Sequence, residues 1–184
     1  AIWGWDRVVK VNEIPHYILP GPGLVLQTLI EDWGLLFASA LVTLKVTALA
    51  LIVAIIGGVG LAIVFNQSKF AEMCFFPFAV ILQVTPIVAI APLLLVYLPQ
   101  PAAVLACAWI VAFFPVLSNT TLGLNSVDRN LAGLFQLYGA SRLQTLRYLK
   151  LPAALPFILG GLRIAGGLSL IGAVVAEIAA GAAG

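Results

Sequence analysis

Charge is scarce in this chain. Its 184 residues include nine Lys or Arg and seven Asp or Glu, together 9% of the chain, against 62% apolar residues. A soluble domain carries roughly 25% charged residues. So few ionised groups cannot build a water-facing surface, and with a mean hydropathy of +1.14 the solvent around most of the chain is lipid. The net charge of +2, with no Lys/Arg stripe, excludes a phosphate-tracking nucleic-acid binder. Cysteine is nearly absent too. Cys74 and Cys107 stand alone in apolar runs without a CxxC partner, and both read as small packing residues rather than redox or metal groups. The single histidine, His16, lies in Glu13-Ile14-Pro15-His16-Tyr17 with no second ligand at metal spacing, so it reads as a loop residue. No GxxxxGK[ST] phosphate loop occurs, so the chain cannot hydrolyse ATP by that route.

What is abundant is long apolar sequence. A membrane-crossing helix needs about 20 such residues, and four stretches approach or meet that length. The first runs from Leu35 to Phe65, interrupted by Lys45, and Val46–Phe65 alone is long enough to cross. The second runs from Met73 to Tyr97 without a charge, the third from Ala102 to Ser118 with room to extend through Leu122, and the fourth from Phe157 to Ala176 with Arg163 near its start. The expected fold class is therefore all-α, a polytopic helical membrane protein. The spans fall in residues 35–184, after a segment covering residues 1–34.

Short links, Asn66–Glu72 and Leu98–Pro101, join the first three spans as antiparallel neighbours. A long polar link, Asn119–Pro156, carries Arg129, Arg142, Arg147 and Lys150. Loops enriched in Lys and Arg stay on the cytoplasmic side, which places this link and Lys69 inside, and Arg7 and Lys10 outside. Residues 1–34 then lie outside with no preceding span or signal peptide. The chain starts with Ala rather than Met and stops at Gly181-Ala182-Ala183-Gly184. It is expected to be an excerpt of a longer protein, with at least one more helix at each end.

The long link predicts two amphipathic helices meeting at a sharp corner. Asp128 can cap the first, in which Leu131, Leu134, Phe135 and Tyr138 recur at helical spacing. Gly139 stands where a helix end favours positive φ. Ser141 and Gln144 have capping-box spacing and open a second helix, with Leu143, Leu146 and Leu149 on one side and Pro152 as its stop. Such a pair can lie at the headgroups or act as a docking knob for a cytoplasmic partner.

The residues of this corner resemble the "EAA" loop of ABC-importer permeases, whose usual form is E-A-A-x-x-x-G, nine residues, then I-x-L-P. Gly139 takes the glycine place, Leu149 the isoleucine-like place and Leu151-Pro152 the final pair. At the front, Gly133-Leu134-Phe135 stands where Glu-Ala-Ala is usual. Tyr138-Gly139-Ala140-Ser141-Arg142, Leu151-Pro152-Ala153-Ala154-Leu155-Pro156 and Gly161-Leu162-Arg163-Ile164-Ala165 look like the nitrate/sulfonate/taurine branch. So do Ile18-Leu19-Pro20-Gly21-Pro22, and Thr85-Pro86 followed by Pro92-Leu93. The resemblance implies a type I importer fold in the bacterial inner membrane. Two permease copies would form the pore, a separate ATPase subunit using ATP and magnesium would bind the corner, and an external binding protein would deliver solute. It assigns no cofactor to this chain. The coupling residues it implies are Tyr138, Gly139, Ala140, Ser141, Leu143, Leu146, Leu151 and Pro152.

Within the spans, Gly161, Ala165, Ser169 and Ala173 recur every fourth residue and lead to Glu177. Small residues at that spacing let a helix backbone approach, or line a pore. Glu177 either reaches water or serves a gate or solute path, because intramembrane charge is expensive. Arg163 and Lys45 can snorkel toward headgroups, Lys45 alternatively attracting anions. Arg163 is fourteen helical residues from Glu177, roughly 21 Å, too far to pair. Pro77, Pro86 and Pro92, with Gln83 and Thr85, free backbone carbonyls and bend the second span, so Gln83, Thr85, Pro86, Ser169 and Glu177 are candidates for a translocation path. One His, one Glu at a span end and no Asp in any span leave too little for a membrane enzyme. A self-sufficient channel or secondary transporter is the alternative, though it would place charges near the midplane rather than at span ends. The transported solute is not legible in these residues.

Overall fold

The computed structural model describes residues 2–181, and among these every regular element is helical. In order they are α1 (Ile2–Val11), α2 (Pro22–Glu31), α3 (Trp33–Gln67), α4 (Lys69–Val84), α5 (Ile87–Tyr97), α6 (Gln100–Asn125), α7 (Arg129–Leu137), α8 (Arg142–Thr145), a π-helical segment (Leu146–Lys150) and α9 (Leu151–Ala180). Three helical stretches are long and apolar enough to cross a membrane: Trp33–Gln67, Gln100–Asn125 and Arg142–Ala180. The chain divides into two units between Val42 and Thr43. Thr47 is the first buried residue along α3.

The first unit has little core of its own. In α1, Asp6 and Lys10 form an ion pair at 2.8 Å, and the Arg7 guanidinium lies 5.0 Å over the Trp3 ring. Both helices leave their apolar side chains largely exposed, Ile2, Trp3 and Ile30 among them. A shallow apolar hollow of about 320 Å³ lies between Pro20, Leu24, Val25, Thr28, Leu29 and Leu36.

The second unit is built around α6, which carries more buried residues than any other helix. Its neighbour α3 runs parallel to it. Gly58 approaches α6 so closely that a Cβ there would lie 2.9 Å from Val116 Cγ1 and 3.1 Å from the Leu117 amide nitrogen. Helix α9 runs antiparallel, and here the small-residue stripe does its packing. A Cβ on Gly172 would lie 2.9 Å from Ala108 Cα and from the Cys107 carbonyl oxygen. Gly161, Ala165, Ser169 and Ala173 are all buried. In lipid, close backbone approach of this kind replaces the hydrophobic drive that holds soluble helices together. One core gathers Phe65, Leu117, Leu124, Leu146 and Ala154; a second, toward the other end, gathers Ala50, Ala91, Cys107, Ala173 and Ala176.

The helix bounds depart from the expected spans in three places. Met73–Tyr97 is not one straight span. Ser68 caps α4 by accepting from the Ala71 amide at 3.2 Å, and α4 and α5 are bent by 99° at Thr85-Pro86. A residue before proline is pushed out of the α region, and Thr85 duly sits at φ −74°, ψ 124°. Its hydroxyl donates to the Ile81 carbonyl at 2.6 Å, which also accepts from the Thr85 amide at 3.1 Å, so both groups close the last turn of α4. Pro77 and Pro92 lie inside helices without breaking them. The third span extends to Asn125, so the link expected from Asn119 onward starts at Ser126. Finally, Pro152 does not stop the second corner helix, and Pro156 lies inside the last helix rather than ahead of it. Proline lacks an N–H and its ring clashes with the carbonyl four residues back, and here the chain widens into a π turn instead. Leu151 donates to the Leu146 carbonyl five residues back, and Arg142–Ala180 continues as one 39-residue helix.

Candidate functional site

The corner between α7 and α8 is fixed by local hydrogen bonds that the sequence dictates. Asp128 Oδ1 accepts from the Asn130 amide at 2.7 Å and starts α7. At its other end Gly139 takes φ +69°. The Gly139 amide donates to the Gln136 carbonyl at 3.0 Å, and the Ala140 amide to the Phe135 carbonyl at 2.9 Å. These two bonds are the Schellman closure, which needs a left-handed residue where Gly139 stands. Two residues on, the Gln144 amide donates to Ser141 Oγ at 3.2 Å, and Gln144 Oε1 accepts from the Ser141 amide at 2.7 Å. That reciprocal pair starts α8. The turn is thus pinned from both sides, and what it presents is apolar: Leu137, Tyr138 and Leu143 are 86%, 83% and 71% exposed.

Leu146 does not share that surface. It is buried in the core with Phe65, Leu124 and Ala154, whereas the preceding turn, Arg142–Gln144, is exposed. Three helical residues advance by 300°, so Leu143 and Leu146 sit about 60° apart around the axis. Leu146, one turn deeper, is the first residue to reach the bundle. Leu151 is half-buried and packs against the same core, and Pro152 is exposed. Tyr138, Gly139, Ser141 and Leu143 therefore form the presented corner, with Ala140 half-buried behind it. Leu146 and Leu151 anchor it.

The other five candidates are not brought onto one surface. Gln83, Thr85 and Pro86 cluster at the 99° bend, with Gln83 and Pro86 exposed and Thr85 half-buried. Ser169 is fully buried and donates to the Gly166 carbonyl at 3.1 Å, so it packs rather than facing open space within this chain. Glu177 is half-buried, and both its carboxylate oxygens lie 3.0 Å from Thr43 Oγ1. Arg163 and Lys45 are exposed. Among the described residues, no three His, Cys, Asp or Glu side chains come together as a metal-binding group.

Two polar contacts escaped the sequence reading, Thr43 with Glu177 and a chain joining Lys150, Asn66 and Asn125. Lys150 Nζ donates to Asn66 Oδ1 at 2.8 Å, and Asn66 Nδ2 to Asn125 Oδ1 at 3.1 Å. The available signal was that both asparagines follow long apolar runs. Nothing local pairs residues this distant in the chain.

Residues 54–184 match the family described as the inner membrane component of binding-protein-dependent transport systems. The chain is 36% identical over 184 residues to the riboflavin transport system permease protein of Chloroflexus aurantiacus, covering 98% of this chain and 68% of that one. It is 34% identical over 174 residues to a probable ABC transporter permease protein of Haemophilus influenzae, covering 94% and 71%. Among solved structures it is similar to an amino acid ABC transporter crystallised with histidines, with a TM-score of 0.70 and 19% identity over 83% of this chain and 75% of that one. That likeness is one of fold, a polytopic helical type I permease.

Proposed function

Because the chain belongs to the family of inner membrane components of binding-protein-dependent transport systems, we propose that it works as the permease subunit of an ATP-driven importer. A small solute handed over by an external binding protein crosses the bacterial inner membrane through it. A separate ATPase holds the ATP and magnesium, and two permease copies enclose the path. This chain contributes no cofactor and no bond-breaking chemistry.

The observation that carries this reading is the corner at Gly139. Its Schellman pair and capping box hold the turn in one shape, and coupling requires that force on the knob move the bundle rather than deform the knob. Exposed Leu137, Tyr138 and Leu143 supply an apolar contact for the ATPase, and buried Leu146 ties that contact to the core. The path itself is assigned to the surface around the bend at Thr85-Pro86. The relative named for riboflavin transport makes flavins the first solutes to test.

The test is co-purification with a tagged ATPase subunit, with ATP turnover of the complex measured in parallel. A Cβ at position 139 meets no neighbour within 4 Å, so substitution there strains only the turn. A non-glycine residue in the left-handed region costs about 1–2 kcal/mol, and Asn is among those that tolerate it. Gly139→Asp is expected to fold, lose ATPase association and lose turnover, with Gly139→Asn retaining most of both. Association and turnover at wild-type level in Gly139→Asp would remove the coupling assignment.

A further inference from the structure

At the end of the bundle where α3 and α6 finish and the last long helix begins, the Lys150–Asn66–Asn125 chain borders a cavity of about 290 Å³. Asn66, Gln67, Gln136, Arg142, Thr145 and Lys150 line it, and two alanines complete the wall. The lining holds two cations, three amides and a hydroxyl, and no carboxylate. Ion pairs among the described residues are Lys10 with Asp6 and Lys69 with Glu72, so neither Arg142 nor Lys150 has an acidic partner. An ammonium offers three donors and a guanidinium five. Lys150 places one on Asn66, and the Thr145 hydroxyl donates to the Ser141 carbonyl. Gln67 and Gln136 carry further N–H donors into the lining. Lys150 is half-buried and Arg142 exposed, and both line the cavity with no anion beside them.

We propose that this cavity is a binding site for a phosphate-class oxyanion, supplied by the headgroup of an anionic phospholipid or by free phosphate. The headgroup is the favoured source. Val46–Phe65 is long enough to cross the bilayer and Gln67 follows it by two residues, which puts the mouth of the cavity near one membrane surface. Basic pockets between membrane helices on the cytoplasmic side are suited to such headgroups. The volume is at the lower edge of small-ligand pockets, about 300–1,000 Å³. Gln136 belongs to α7, Arg142 opens α8, Lys150 ends the π segment and Gln67 ends α3, so one bound anion ties both sides of the Gly139 corner to the bundle. The site depends on the membrane placement of this end and not on ATPase docking, so it stands or falls separately from the coupling assignment.

The test measures thermal unfolding of the purified protein in detergent during titration with phosphatidylglycerol, phosphatidylcholine, or sodium phosphate against sodium chloride at equal ionic strength. Phosphatidylglycerol is expected to raise the melting temperature saturably and phosphatidylcholine to leave it unchanged. A saturable rise with sodium phosphate as well would identify the free ion as an occupant. Arg142 is exposed, so Arg142→Gln should melt as wild type without ligand. It should weaken the apparent affinity about fivefold, the worth of one basic residue at an anionic surface. Arg147, whose guanidinium lies over the Tyr148 ring and is not part of the lining, supplies the control Arg147→Gln, expected to bind as wild type. Equal responses to the two lipids with none to phosphate, or equal weakening by Arg142→Gln and Arg147→Gln, would overturn the site.

Discussion

The Thr43 hydroxyl lies 3.0 Å from each carboxylate oxygen of Glu177, across 134 residues of sequence. One O–H can supply one proton, so it is shared between the two oxygens, and it fastens α3 to α9 at the end of the bundle opposite Lys150, Asn66 and Asn125. A charge kept within a membrane helix needs such a donor. Interhelical hydrogen bonds in membranes contribute about 0.6 kcal/mol on average and about 1.7 at most, because the unfolded chain in lipid also finds partners. Thr43→Val is therefore expected to destabilise the protein by that modest amount, seen as a small fall in melting temperature in detergent, while Thr43→Ser keeps the wild-type value. Identical melting of Thr43→Val and wild type would show that the contact carries no stability.

The contact between α6 and α9 is far less tolerant. Ser169 is fully buried, and a Cβ on Gly172 would meet α6 backbone at 2.9 Å, whereas Ile171 on the same helix is 56% exposed. Forcing extra atoms into a packed contact costs typically about 1–3 kcal/mol. Ser169→Leu and Gly172→Val should each reduce yield and thermal stability in detergent, with Ile171→Leu unaffected. Three indistinguishable variants would mean that the stripe is not a packing face.

Of three prolines in the second expected span, Pro86 alone marks a break. Cysteines for spin labels placed at the exposed positions Phe78 and Leu93, in a background without Cys74 and Cys107, span the bend. With 99° between the helices the labelled backbone positions are roughly 15 Å apart, against roughly 22 Å for a straight helix of the same length. Proline disfavours a helix interior by about 3 kcal/mol. Pro86→Ala is thus expected to add a longer-distance population that Pro77→Ala and Pro92→Ala lack. The same short distance in all three would place the cause of the bend in tertiary packing.

Orientation follows from charge. Asn130→Cys and Tyr17→Cys, made singly without Cys74 and Cys107, are both at exposed positions. An impermeant thiol reagent on intact cells is expected to label position 17 and spare position 130. The reverse pattern would invert the topology and put the Gly139 corner outside.

What could be read from the sequence was what local chemistry decides. Asp128, Gly139, Ser141 and Gln144 act within a few residues of themselves, and each makes the bond its spacing implied. The Gly161 stripe was legible as a packing face or a pore lining, and its burial decides for packing within this chain. What could not be read depends on the rest of the fold. Pro152 looked like a stop because local rules permit no α-helix through it, yet a π turn absorbs the misfit. Leu146 shared a sequence pattern with Leu143 but lies one turn nearer the core. Pro77, Pro86 and Pro92 carry the same local signal, and only one becomes a corner. Helix α1 has no signal beyond its Trp and Val spacing. Thr43 and Glu177, like Lys150 and Asn66, meet only because helices distant in sequence pack side by side.

The uninterrupted run from Arg142 to Ala180 has a mechanical meaning. Thirty-nine residues span roughly 58 Å, about twice the 30 Å hydrocarbon thickness of a bilayer. Such a rod reaches from beside the exposed Leu143 at one end to Glu177 near the other, so a tilt imposed at its foot displaces its tip without any loop to dissipate the motion. The π turn at 146–150 lies within that run, and its first residue, Leu146, is buried in the core, so the rod is held to the bundle one turn above its exposed foot.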